Sequence, residues 1–335
     1  MSAIGAGCWT IGGAATNGGV PIGWDGVDPD QAYAGLVRAH EAGVTLFDTA
    51  DVYGLGRSER LLGRLLAHVR RELLVISSKV GYFAGTAAHP YHPAQMRHQL
   101  ETSLTNLGTD RLDVYFLHSA DFGPGDRYLE EAVDQMRRFQ RDGLIHAIGM
   151  RAPHAFAEEW AAAPHHNAQV QRFLELFYRI QPEVLTVRHN LLSPRYSPGE
   201  TDIFAFAKRH TADVIIKQPL AQGLLAGTHR PGLMRKVSSQ DHRSTDPQFT
   251  PPVIEAVHEV LGKVAAHFGD EPGGLVRAAL RYALHRAPQA PVLVGFRNAD
   301  QMSRNLTGLT PLTEEEATLL QHLTDPAVWI VTPPP

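Results

Sequence analysis

Eight short apolar runs, separated by stretches of helical period, constrain the fold of this 335-residue chain more than any other feature. They read IGAGCW (4–9), VTLFDTA (44–50), LLVISSKV (73–80), LDVYFLH (112–118), LIHAIGM (144–150), VLTVRHN (184–190), DVIIKQPL (213–220) and PVLVGF (291–296). Strands this apolar are expected where both faces of a sheet are covered. The intervening text reads as helices, for example over 29–42, 58–69, 129–142 and 252–268. The helix over 93–107 carries proline at its start and Gly108 just past its end, the usual asymmetry of helix termini. Strict alternation of strand and helix implies parallel strands joined by right-handed crossovers. Eight such units close a barrel, whereas five or six leave an open sheet. No Gly-x-Gly-x-x-Gly run follows a strand, which disfavours the open dinucleotide-binding sheet. The expected architecture is a single (β/α)8 TIM barrel spanning 1–335, with a long loop over about 223–250 and a disordered tail over 331–335.

Composition narrows the class. A net charge of -4 and the lack of a long Lys/Arg run argue against nucleic acid or an acidic membrane as partner. No run approaches the ~18 apolar residues of a membrane span, and MSAIGAGCWTIGG lacks the basic start and apolar run of a secretory leader. Cys8 is the one cysteine, so no intrachain disulfide forms, which fits a cytoplasmic location. It reads as a small buried residue rather than a nucleophile. His89 and His92, and the pair His165 and His166, lie in Pro/Ala-rich loop text and read as solvated side chains; no metal is expected.

In such a barrel, side chains at the C-terminal ends of strands converge on one mouth. Read in order, those ends offer Trp9, Asp48, Lys79, His118, Met150, Asn190, Lys217 and Arg297. Tyr53 lies five residues past Asp48, close enough to fold back over the rim. A phenol with a pKa of about 10 is a poor acid at neutral pH. A neighbouring ammonium would lower that value, and a carboxylate would keep the ammonium charged in a buried site. Tyr53 is then a general acid toward a carbonyl oxygen, with Lys79 and Asp48 tuning it. His118 can donate a hydrogen bond that orients the carbonyl.

DTADVYGLGRSERLLG (48–63), SSKVG (77–81) and LDVYFLHS (112–119) carry these groups in order, and together they resemble the aldo-keto reductase family. QPLAQGLLAG (218–227) and VGFRNADQMSRNL (294–306) extend the resemblance to almost the whole chain. It implies Asp48, Tyr53, Lys79 and His118 as a catalytic tetrad, and NADPH bound extended rather than on a Rossmann sheet. It implies adenine contacts at Gln301 and Asn305, with Arg297 holding the 2′-phosphate. The N-terminus of the helix after strand eight would add favourable potential for that phosphate. Trp9, Met150, Arg151, Thr186, Lys217, Leu220 and Gly295 fall at the remaining cofactor positions. Trp9, Trp24 and Tyr82 follow strands one and three and are expected to line the substrate pocket. The hairpin with which relatives plug the barrel bottom is not expected here, because strand one begins a few residues after Met1.

The sequence departs from the family pattern at the nicotinamide. Met150-Arg151 stands for Ser-Asn after strand five, Thr186 for Gln on strand six, and Lys217 for the stacking Tyr on strand seven. A lysine stem can lie over a ring, but its charge would repel oxidised nicotinamide. Lys217 and Arg151 could instead bind an anionic substrate. The leading reading is an NADPH-dependent aldehyde or ketone reductase. A non-redox lyase or isomerase, and a non-catalytic cofactor-binding auxiliary subunit, stand as alternatives.

Overall fold

The computed structural model describes residues 1–162, 167–231, 238–269, 271 and 273–325. The predicted tail lies outside them, as do His165, His166 and the 232–237 stretch of the long loop. Eight parallel strands close into a barrel: β1 (Ile4–Gly7), β2 (Leu46–Asp48), β3 (Val75–Val80), β4 (Leu112–Leu117), β5 (Ile145–Arg151), β6 (Val184–Arg188), β7 (Asp213–Lys217) and β8 (Val292–Gly295). Each pairs with its neighbour in sequence, and β1 pairs with both β2 and β8 to seal the ring. The expected TIM barrel is therefore the fold observed.

Helices wrap the barrel: α1 (Pro29–Glu41), α2 (Arg57–Leu66), α3 (Pro93–Leu107), α4 (Leu129–Arg141), α5 (Asn167–Ile180), α6 (Ile203–Arg209), α7 (Pro251–Phe268), α8 (Gly274–Arg286), α9 (Ala299–Leu306) and α10 (Glu314–Leu323). Their starts follow local chemistry. The Asp28 carboxylate accepts from the amides of Asp30 and Gln31, with Pro29 in the first turn. Gly108 ends α3 in the left-handed conformation that glycine adopts without penalty. Sheet and helices enclose one large core that includes Phe47, Tyr115, Phe139 and Phe206. A smaller cluster of Leu46, Val114, Phe116, Val184, Ile215 and Leu293 fills the barrel interior below the mouth. The Phe116 ring fills space that any side chain at residue 149 would need, so β5 carries Gly149 there.

The first barrel strand begins at Ile4, with no strand pair ahead of it in this sequence. A hairpin absent from the sequence reading forms at the other rim, just after β1: Thr16–Asn17 pairs with Val20–Pro21. Its loop is Gly18-Gly19, both at positive φ, as a two-residue turn requires. The long loop is not featureless. Residues Ala221–Ala226, His242–Ser244 and Pro247–Phe249 form 3-10 turns. Among the described residues no helix is long and apolar enough to cross a membrane.

Candidate active site

Parity along each strand decides what reaches the mouth, because successive side chains point to opposite faces. Gly7 pairs with Asp48, which pairs with Ser77; Arg151 pairs with Thr186, and Arg188 with Lys217. All of these face the barrel axis. Tyr53 reaches the same space through a tight turn after β2. The amides of Tyr53 and Gly56 donate to the carbonyls of Ala50 and Asp51 at 3.1 and 2.8 Å. Gly54, Leu55 and Gly56 are consecutively left-handed, and Gly54 packs against the Gly12 carbonyl so closely that a Cβ would collide with it. That contact locks the tyrosine turn onto the loop after β1.

The four groups meet. The Lys79 Nζ donates to Asp48 Oδ1 and Oδ2 at 2.9 and 2.8 Å and to the Thr49 carbonyl at 2.5 Å. Asp48 Oδ1 also accepts from the Ser77 hydroxyl at 2.6 Å. The Lys79 nitrogen stands 4.7 Å from the centre of the Tyr53 ring. The His118 ring meets that ring edge-on at 6.2 Å and Tyr82 at 4.7 Å. Burial disfavours the charge on Lys79, but Asp48 and Tyr53 outweigh it, and the amine is held above its ordinary pKa. Burial, with Lys79, Arg151 and Lys217 nearby, pushes His118 well below 6.5, so its imidazole is neutral at pH 7. Tyr53 corrects an expectation: its phenol is pushed up from 10, not down. Burial outweighs the Lys79 charge, part of whose effect Asp48 offsets.

These groups form the inner end of a cavity of about 1160 Å³. Ordinary small-molecule sites run to about 300–1,000 Å³, so there is room for a cofactor and a substrate together. From the tetrad the cavity passes Trp9, Thr186, Lys217 and Leu220 to Gly295, Arg297, Gln301, Arg304 and Asn305 at α9. Trp24 and Tyr82 line it as expected. Met150 does not: it pairs with Leu117 and Leu185 on the outer face of the sheet and is buried in the core. Arg151 takes the inward position in its place. Asn190 also lies away from the mouth, its amide donating to the Gln218 carbonyl at 2.9 Å. At α9 one of the helix-start amides is already capped. Asn298 accepts from the Gln301 amide at 2.8 Å, and Gln301 Oε1 from the Arg297 amide at 2.8 Å. Asn305 donates to the Gly295 carbonyl at 3.1 Å.

Residues the sequence reading did not single out complete the rim. His242 packs against Trp9 and Trp24 at 4.3 and 4.5 Å between ring centres, and its Nδ1 lies 3.1 Å from the Gly23 carbonyl. Its other ring nitrogen pairs with Gln222. Arg243 covers Trp24 and is paired with Asp241, which also accepts from the Asp25 amide at 3.1 Å. The Thr10 hydroxyl donates to the Phe296 carbonyl at 2.6 Å and stitches the segment after β1 to the segment after β8. No local pattern announces His242, because its partners are far away in sequence. Among the described residues no cluster of His, Cys, Asp or Glu could hold a metal ion. His92 caps α3, His89 stacks on Tyr128, and Cys8 is fully buried with its thiol pKa pushed up by burial.

Behind the mouth lies a pair of buried carboxylates. Asp51 accepts from Gln99 Nε2 at 2.9 Å and the Val52 amide at 2.6 Å, and Glu59 from the Ser78 hydroxyl at 2.7 Å. Burial raises Asp51 to about 7, with Glu59 adding to the shift. The native state then keeps a proton that the unfolded chain releases near pH 4, so stability falls as pH rises from about 4 to 7. The full effect is on the order of 4 kcal/mol as an upper bound. Denaturant unfolding at pH 5 and 7.5 should show this decline, and Asp51→Asn should flatten it. An unchanged slope in the variant would place its origin elsewhere.

Comparison with known proteins now fits the geometry. The chain is 22% identical to the NADH-specific methylglyoxal reductase of Escherichia coli, over 97% of this chain and 95% of that protein. It is 24% identical to the aldo-keto reductase YhdN of Bacillus subtilis, over 97% and 92%. A glycerol dehydrogenase from Gluconobacter oxydans superposes with a TM-score of 0.70 at 26% identity, covering 100% of this chain and 94% of that one. An aldo-keto reductase from Bacillus halodurans gives 0.67 at 23%, covering 96% and 92%. The model of the Aldo/keto reductase family matches residues 3–325, and the chain belongs to that family.

Proposed function

We propose that this protein reduces an aldehyde or ketone with hydride from a nicotinamide cofactor, NADPH in preference to NADH, acting in the cytoplasm as a single barrel domain. The observation that carries the reading is the meeting of the Lys79–Asp48 pair, the Tyr53 ring and His118 at the inner end of one continuous cavity. The residues present fit the cofactor. Trp9, Thr186, Leu220, Gly295, Arg297, Gln301 and Asn305 border a space that also holds the tetrad, and the buried Thr186 hydroxyl has no partner within the protein.

When bound, the cofactor supplies hydride to the carbonyl carbon. Tyr53 gives its proton to the carbonyl oxygen, so the carbonyl becomes an alcohol and the cofactor is oxidised. Because burial keeps the phenol protonated, the acid is loaded throughout neutral pH. Lys79 stabilises the phenolate left behind, and Asp48 holds Lys79 in place. Neutral His118 offers an N–H to the substrate oxygen. These donors polarise the carbonyl, so the reaction calls for no metal.

Arg297 and the exposed Arg304 border the far end of the cavity, where a 2′-phosphate would find charge-assisted donors. A relative is named NADH-specific, so the preference is a direct test. Initial rates on methylglyoxal and a panel of aldehydes should favour NADPH over NADH. Arg297→Leu should raise the KM for NADPH about tenfold or more, with little change for NADH. Equal use of both cofactors by the wild type would overturn the NADPH assignment. No turnover with either cofactor across the panel would overturn the reductase reading.

A further inference from the structure

The wall of the cavity facing the tetrad carries two basic side chains that no carboxylate among the described residues partners. Arg151 and Lys217 border it from β5 and β7, with Thr186 between them on β6. Neither cation lies within ion-pair distance of a carboxylate among the described residues. The Arg151 guanidinium donates only to neutral oxygens, the Tyr82 hydroxyl and the His118 carbonyl, both at 3.3 Å. Asp48, the nearby acid, is committed to Lys79 and Ser77. A buried atom on this wall, His118 Nδ1, has no hydrogen-bond partner. Burial first, then the Arg151 and Lys79 charges, push the Lys217 amine well below its ordinary pKa, and a carboxylate bound beside it would favour its charged form. Arg151 is solvent-exposed and Lys217 half-buried, so both are open to an anion that enters the cavity, and a buried atom with an unmade hydrogen bond is costly. A cofactor carboxamide could satisfy hydrogen bonds here, but it is neutral and leaves the charges unbalanced. Oxidised nicotinamide is itself a cation and would add to the repulsion.

We propose that Arg151 and Lys217 bind a carboxylate on the substrate, and that the compound reduced is a short oxo acid. The Tyr53, His118 and Tyr82 rings run in contact, and Arg151 touches Tyr82. The reacting carbonyl and the carboxylate are therefore a few bonds apart. Hydride adds to the carbonyl carbon, Tyr53 protonates its oxygen, and the product is a hydroxy acid with the carboxylate unchanged. The proposal rests on the reductase reading, and the test separates the two.

Steady-state rates are measured for pyruvate, glyoxylate and succinic semialdehyde against their methyl esters, alongside methylglyoxal. The wild type is compared with Lys217→Met and Arg151→Gln. Separately, thermal unfolding is followed with oxamate, its neutral analogue oxamide, or inorganic phosphate. The acids should exceed their esters in kcat/KM by about tenfold or more, the discrimination expected when a buried polar site loses its partner. In each variant that ratio should fall toward one. Oxamate, but not oxamide, should raise the wild-type melting temperature, and Lys217→Met should abolish the rise. Turnover of esters and methylglyoxal with no preference for acids would overturn this proposal and leave the reductase reading intact. Protection by oxamate without turnover of any carbonyl would overturn the reductase reading, and the oxo-acid substrate with it, leaving only an anion site. Protection by phosphate and not by oxamate would overturn the carboxylate assignment.

Discussion

Tyr53→Phe is expected to lower kcat for carbonyl reduction by about 10²–10⁴-fold, the range for loss of a positioned general acid. The substitution removes one oxygen and leaves the ring. The stacking of residue 53 on Trp9, 6.1 Å between ring centres, is retained, as is the turn that Gly54 packs against Gly12. Cofactor affinity should therefore stay within about twofold, and the melting temperature should move little. Stopped-flow turnover together with fluorescence titration of the cofactor checks both halves. A companion expectation follows from the protonation states. With Tyr53 held above 10 by burial and His118 held well below 6.5, neither group changes charge around pH 7 to 8, and kcat should be nearly flat there. A sharp loss of rate across that window would point to a different acid.

Lys79→Met should have the second large effect, and on two observables at once. Asp48 is 5% exposed, and each of its carboxylate oxygens accepts from Lys79, one of them from Ser77 as well. Removing one partner of a buried pair typically costs about 3–5 kcal/mol, because the other charge is left uncompensated. The melting temperature should fall by several degrees, and kcat should collapse because the phenolate loses its counter-charge. Adding Asp48→Asn removes the stranded carboxylate. The double variant should regain much of the stability and none of the rate. A single variant as stable and active as the wild type would show that the pair serves neither purpose.

The barrel was legible because short, nearly continuous apolar runs and runs of helical period alternate eight times, the pattern of a closed parallel barrel. The tetrad residues were legible because each sits at or just past a strand end, and the structure brings all four together. Met150 was misplaced by counting the end of a strand rather than its parity. Ile148 and Met150 share the outer face, while Gly149 and Arg151 look inward, and one step of register moves a side chain between them. The hairpin at 16–21 carried a usable signal, Asn17-Gly18, that strand-scale periodicity passes over. The pKa of Tyr53 was not legible, since its sign depends on how far burial outweighs a neighbouring charge, and burial exists only in three dimensions. His242 was hidden for a related reason. Its contact with Gly23 joins positions 219 residues apart, and only the closed barrel brings them together.

The most direct test of the account is a single-turnover experiment with cofactor deuterated at the transferring position and a carbonyl substrate, run on the wild type and on Tyr53→Phe. Mass spectrometry should find the label on the carbinol carbon of the wild-type product, and the variant should transfer it slower by about two orders of magnitude or more. An alcohol product without label, or a variant that transfers deuteride at the wild-type rate, would contradict it.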